Sequence, residues 1–229
     1  MTKPILILIG LTLLIGCADT DTDTDETPDT TTTSDTPTAH DIVDDDTALQ
    51  DPMVWLNDRY GPEHGTITVA MESDGETVRQ QRFFTDHGER EAIKTYYETP
   101  MGMDTVVIVS APDSIRIKNP NAPGGVTTQG WGTNYATRLP NFRHITDGMR
   151  KLYKLEELPS KTFIGKESKG YRLNIQGAVT ELWVWEGIMM YASITAEMAD
   201  DGKPMVFKTV AIDTTRPDAA HFEIRRTDS

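Results

Sequence analysis

One thiol, five imidazoles and a run of alternating carboxylates are the groups in this chain whose spacing could mark chemistry. The histidines, His40, His64, His87, His144 and His221, stand far apart, without the short spacings that gather a metal ion. The ten methionines do not cluster with them, so a copper site has no support either. No Gly-x-Ser-x-Gly, His-Glu-x-x-His or Gly-Lys-Ser/Thr signature occurs. The glycine-rich Asn121-Ala-Pro-Gly-Gly125 runs on into loop rather than opening a helix, which makes it a turn and not a phosphate cradle. Alternating aspartates from Asp19 resemble the start of a calcium loop, which needs Gly at its sixth and Glu at its twelfth place. Counting from Asp19 those places hold Thr24 and Thr30, and from Asp21 they hold Glu26 and Thr32. The sequence offers no metal site, no cofactor site and no catalytic residues, and it reads as a protein that is not an enzyme.

The thiol is more telling. Cys17 is the single cysteine, and it ends Leu14-Ile15-Gly16-Cys17. Ahead of it stand Lys3 and an apolar run from Ile5 to Ile15 broken only by Gly10 and Thr12. A basic start, a short apolar core and small residues before a cut site make an export signal. The run is too short for a hydrocarbon core that takes about 20 helical residues to cross. The Leu-Ile-Gly-Cys ending resembles the lipobox of bacterial lipoproteins. That resemblance implies cleavage after Gly16, a diacylglycerol on the Cys17 sulfur and an acyl (palmitate-like) chain on its amino group. Two or three chains anchor a protein stably where one holds it only marginally. Ala18 rather than Asp follows the Cys, which in such lipoproteins favours the outer membrane, facing the periplasm or the cell surface. An ordinary signal peptide that happens to contain a Cys is the bland alternative.

Charge is concentrated next to that anchor. Between Ala18 and Asp51 there are 12 Asp and Glu and no Lys or Arg, whereas residues 52–229 hold 24 acidic and 21 basic residues. Most of the net charge of −14 therefore belongs to one segment, and no basic footprint suggests nucleic acid. The Thr/Asp-rich stretch has too little apolar surface to offset chain entropy, so it is expected to be disordered. Its Thr and Pro content would also suit an O-glycosylated stalk. About thirty such residues reach about 30 Å as a flexible coil and at most about 100 Å extended. The organisation expected is a signal peptide over 1–16, a lipidated Cys17 and acidic tether over 17–47, and one globular domain over 48–229, a monomer held by packing without disulfides.

Within that domain, Asp51-Pro52 through Gly61-Pro62 reads as a short capped helix. Period-two segments follow at 66–72, 76–85, 89–99, 104–110 and 113–118, then a loop over 119–132. From Pro140 to Leu158 the period changes, with Phe142, Ile145, Met149, Leu152 and Leu155 near one helical stripe. Short strands resume at 161–167, 170–176, 180–186, 188–195 and 205–213. Consecutive strands with tight turns imply an antiparallel sheet, and two or three helices imply one covered face. The class is α+β, mainly antiparallel β.

One hairpin is apolar on both faces. Leu182 and Val184 alternate with Trp183 and Trp185, and Ile188 and Met190 alternate with Met189 and Tyr191. Such a strand is either covered twice or lines a cavity, and methionine suits a soft apolar pocket. These eight residues are the candidate ligand-binding set.

The run from Thr162-Phe-Ile-Gly-Lys-Glu-Ser-Lys-Gly-Tyr171, through Leu182-Trp-Val-Trp-Glu-Gly-Ile-Met-Met190 and Lys208-Thr-Val-Ala-Ile-Asp213, to Pro217-Asp-Ala-Ala-His-Phe-Glu-Ile224 resembles bacterial envelope proteins of the outer-membrane lipoprotein-carrier type and related uncharacterised periplasmic families. The resemblance implies a curved, half-open antiparallel barrel with two or three helices against its concave face, where known members hold acyl chains. Met189 stands where relatives often carry Pro, no Cys lies near Tyr171, and the apolar membrane-entering loop of lipoprotein receivers is not evident. The fold is carried over and the transport activity is not. The function expected is a tethered binder of an acyl chain, lipid or lipoprotein between sheet and helices. The alternative is a non-catalytic structural or adaptor protein with a filled core, and a third reading, a hydrolase, lacks the cleft of coupled ionisable residues it would need.

Overall fold

The computed structural model describes residues 58–73, 75–100, 102–111, 114–120, 125–130, 141–175, 178–196 and 203–224. The expected signal, tether and most of the 51–62 helix lie outside these residues, and Asp58–Pro62 forms turns and bends.

Eleven strands make one antiparallel sheet in the order β6-β5-β4-β3-β2-β1-β11-β10-β9-β8-β7. They are β1 (Gly65–Ser73), β2 (Glu76–Thr85), β3 (Arg90–Thr99), β4 (Gly102–Ala111), β5 (Ser114–Lys118), β6 (Val126–Gly130), β7 (Glu156–Phe163), β8 (Lys166–Ile175), β9 (Ala178–Trp185), β10 (Ile188–Ala196) and β11 (Met205–Asp213). The sheet is open, with β6 and β7 at its edges. β2 to β6 form one meander and β7 to β11 another. β1 joins them by pairing with both β2 and β11. Register shifts at Thr68/Val69, Leu158/Lys161 and Met189/Tyr191 bend the strands, and a twisted open sheet of this many strands coils rather than lying flat.

Between the meanders runs segment 141–155, with the single α-helix among the described residues, α1 (Asp147–Leu152). The helical stripe read over 140–158 is corrected here. The Thr146 hydroxyl caps α1 by accepting from the Met149 amide at 3.2 Å. The helix stops at Tyr153, Lys154 takes a left-handed φ of 47°, and Leu155 leads straight into β7. Phe142, Ile145, Tyr153 and Leu155 pack on the core and Met149 is buried, while Leu152 is exposed. The periodic spacing arose from a winding segment lying on the sheet, not from one long helix.

Two further boundaries differ from the sequence reading. Val126–Gly130, expected as loop, pairs with β5 as an edge strand; its polar residues and glycine neighbours hid it. The strands expected at 161–167 and 170–176 are divided elsewhere, at Ile164-Gly165, both with left-handed φ. One long β8 therefore replaces the end of one expected strand and the start of the next.

Side-chain alternation fixes two faces. The inner face gathers Ile67, Val69, Phe84, Tyr171, Leu173, Leu182, Val184, Ile188, Met190, Ala192 and Phe207 into the main core, covered by segment 141–155. Burying one such aliphatic side chain stabilises by about 1.5–3 kcal/mol. A smaller cluster, Phe83, Ala92, Val109 and Phe222, sits on the opposite face of β2 to β4. The C-terminal strap, a 3-10 turn over Ala219–Phe222, lies across it.

Candidate functional site

The eight candidate residues on β9 and β10 divide between the faces of the sheet. Leu182, Val184, Ile188 and Met190 are each at most 5% exposed within the main core. Trp185 and Met189 pack partly buried against it. Trp183 and Tyr191 oppose one another across the hairpin and share the outer face, where each contacts the Phe163 ring at 6.0 and 5.6 Å. The Trp183 indole donates to the Pro159 carbonyl at 3.0 Å, and the Lys161 ammonium lies 3.7 Å from its ring centroid. Lys166 caps the Trp185 ring likewise at 4.3 Å. A Cβ on Gly170 would come within 2.7 Å of the Trp183 indole nitrogen and 2.8 Å of the Leu158 Cβ, so the missing side chain is what admits the indole beneath bulged β7. Both faces of this hairpin are covered.

At the end of the core where β2 turns into β3, residues distant in sequence meet. The Asp58 carboxylate accepts from Arg143 through a short contact and lies 3.1 Å from His144 Nε2. The same Arg143 nitrogen donates to the Tyr60 carbonyl at 3.0 Å. His87 Nδ1, near both Tyr60 O (3.1 Å) and Gly61 O (3.2 Å), is 3.8 Å from Asp58. Beneath them the buried Tyr60 hydroxyl donates to Glu91 at 2.8 Å. Burial raises the Tyr60 phenol, with the Glu91 charge acting in the same sense. Slight burial pulls the Asp58 carboxyl up, but the His144 hydrogen bond and the charge and hydrogen bond of Arg143 outweigh it and hold it below the ordinary value. Asp58 and His87 both take left-handed φ, at 57° and 55°, a cost that the contacts fixing this corner offset. The void beside it, bounded by Tyr60, Arg82, Phe142 and Ile188, holds about 20 Å³. That is room for one water molecule and no substrate. Among the described residues no three His, Cys, Asp or Glu converge as for a metal ion. No local spacing in the sequence signals this corner, because its members come from three separate segments.

A larger hollow lies on the other half of the sheet. A hollow of about 760 Å³ opens at the far end of β2 to β4, lined by Thr77, Val78, Arg79, Tyr96, Tyr97 and Met103 among others. Beside it on the outer face lies the strap. His221 stacks on Phe83 at 3.7 Å and 8°, and its Nδ1 is 2.9 Å from Lys94 Nζ. Arg90 covers the Phe222 ring at 5.0 Å, and Arg116 donates to the Phe222 carbonyl at 3.4 Å. Burial and then the Lys94 charge push His221 below its ordinary value, and burial alone lowers Lys94. No local spacing in the sequence marks this hollow, because its lining comes from three strands and mixes Thr, Arg, Glu and Tyr with Val78 and Met103.

No family model matches this chain, and no curated protein matches it. Several solved structures are similar to it. An uncharacterized conserved protein from Thermus thermophilus is 12% identical over 75% of this chain and 92% of that one, with a TM-score of 0.52. MucB in the Pseudomonas aeruginosa MucA/MucB complex is 13% identical over 77% of this chain and 62% of that one, with a TM-score of 0.48. A domain of the outer-membrane lipoprotein-sorting type from Vibrio parahaemolyticus is 12% identical over 75% of this chain and 97% of that one, with a TM-score of 0.31. At 12% identity the first likeness is one of fold alone, and the other two are looser.

Proposed function

We propose that this chain is a lipid-anchored protein of the bacterial outer membrane, held by diacylglycerol and an acyl chain on Cys17, whose domain acts as a non-catalytic adaptor in the envelope. The observation that carries the adaptor reading is the packed inner face. Leu182, Val184, Ile188 and Met190 meet segment 141–155 directly, and the void beside them is about 20 Å³, whereas ligand pockets measure about 300–1,000 Å³. The Asp58 corner supports a structural role in the same way, since its ionisable groups are spent on holding segments together.

A second reading keeps a hydrophobic ligand, an acyl chain, lipid or lipoprotein segment, but moves it. The hollow of about 760 Å³ beside Val78, Tyr96, Tyr97 and Met103 has the needed volume. Native mass spectrometry of the full lipidated chain, released from bacterial membranes in mild detergent and followed by lipid extraction, separates the two. The adaptor reading expects one mass, that of the triacylated chain, with no uptake of added fatty acid. A stoichiometric extra lipid overturns it in favour of the ligand, and Met103→Asp should then abolish that lipid if the hollow holds it.

A further inference from the structure

Strand register places five cations on one surface. On the outer face of β2 to β5, Arg79 pairs across with Tyr96, Lys94 with Gln81 and Val107, Arg90 with Thr85, Arg116 with Val109, and Lys118 with Val107. Arg79 and Arg90 are exposed, and Lys94, Arg116 and Lys118 half-buried. The strands contribute one acid to this face, Glu98, and the strap adds Asp218 and Glu223. Asp218 is engaged in capping the strap, accepting from the Ala220 amide at 2.8 Å. The face is basic on a domain that is close to neutral.

The same chain carries its electrostatic complement. Twelve acidic residues and no basic ones lie between Ala18 and Asp51, seven residues ahead of Asp58, where the described part of the domain starts. Residues 60–63 lie against the β2–β3 turn: the Tyr60 amide donates to His87 O at 2.9 Å and the His87 amide to Glu63 O at 2.8 Å. The turn is the end of the basic face that bears Thr85 and Arg90. From there the far cations lie about 20 Å away along strands rising about 3.3 Å per residue. A coil of about 35 residues has a root-mean-square reach of about 30–35 Å. Linkage on that scale gives an effective concentration in the millimolar range, enough for weak, screened attractions to be populated.

We propose that the acidic segment between Asp19 and Asp51 docks back on the outer face of β2 to β5, against Arg79, Lys94, Arg116 and Lys118. The tether is then a self-ligand of the domain: it shortens the span to the membrane and shields this face from other anionic partners. Docked and released states exchange with ionic strength, since the cations are exposed or only half-buried and salt reaches them.

The test uses the full lipidated chain in zwitterionic detergent with a nitroxide on Thr24→Cys, Cys17 being blocked by lipid. At about 20 mM salt, where the Debye length is about 20 Å, amides of 79–81, 92–94 and 116–118 should lose at least half their intensity, and recover at about 0.5 M. Arg79→Glu with Lys118→Glu should restore the signals at low salt. Independently, so should changing Asp19, Asp21, Asp23 and Asp25 to Asn, which leaves the domain untouched. Broadening that ignores salt or the neutralised tether overturns the proposal. So does its absence in micelles, including the case where the same amides respond only to vesicles of phosphatidylglycerol, which would assign the face to anionic lipid.

Discussion

The two meanders of this sheet have the same strand grammar and opposite furnishing. β7 to β11, together with β1, lay large side chains inward beneath segment 141–155 and outward beneath the bulged edge of β7, and the void at the Asp58 end of that core is about 20 Å³. β2 to β6 carry a small outer cluster held down by Phe222 and His221 of the C-terminal strap, five cations, and a hollow of about 760 Å³. Strand formation requires only alternation and turns, so both halves fold as sheet. Function divides them by what lies on the faces. The first half is densely packed, and the second leaves cations and a hollow open on its faces.

Mutations that ask the halves to behave alike would break that contrast. Leu182→Ala, at full burial, should cost about 3–5 kcal/mol because the packed site cannot collapse, seen as a fall in the denaturation midpoint without a change in slope. Phe222→Ala should cost about 3 kcal/mol, the low end for a buried Phe, since water can enter where the strap lifts. Hydrogen exchange should then quicken in β2 to β5 and stay slow in β8 to β10; equal quickening in both would merge the halves into one unit. Gly170→Ala should cost about 1–3 kcal/mol by driving a methyl into Trp183 and Leu158, with a shift in indole fluorescence.

Acidity sharpens the contrast at smaller effect. His221 has a lowered folded value, so the unfolded or lifted strap binds protons more readily. Strap attachment is complete above the ordinary imidazole value of 6.5 and weakens as pH falls through it. Exchange in β2 to β5 should therefore rise between neutral and mildly acid pH, and His221→Gln should remove that dependence. The Asp58 corner runs on carboxylate logic. Its folded value is lowered, so its contribution is present above the ordinary 3.8 and is lost as pH drops below it. Being partly exposed to solvent, Asp58→Asn should cost only about 0.5–1 kcal/mol at neutral pH, and the mutant and parent should converge in melting temperature under acid.

Sequence pattern made most of the sheet legible. Alternation locates eight of the strands closely and assigns Leu182 and Val184 to one face and Trp183 to the other, because half-buried strands write their burial into every second residue. It could not foresee α1 shrinking to six residues, since a winding segment pressed on a sheet also repeats an apolar residue every three or four places. Nor could it find β6, whose Val-Thr-Thr-Gln-Gly needs only one neighbour and little burial. The Asp58 corner and the basic face were invisible for another reason. Both arise from register between strands and loops dozens of residues apart, and a chain read in order carries no signal for that.

The seam where β1 meets β11 has a temporal consequence. Every other pairing joins neighbours in the chain, but Thr66 must wait for Asp213 and Met71 for Phe207. Each meander can zip hairpin by hairpin as it emerges, whereas the main core, which needs Ile67 and Val69 from one end and Phe207 from the other, closes only when nearly the whole chain is available. Loop-closure entropy makes that long-range step slow. The nascent protein thus spends its early life as two unfinished sheets with open edges, and the speed of the last strand sets how long they stay exposed to misassembly.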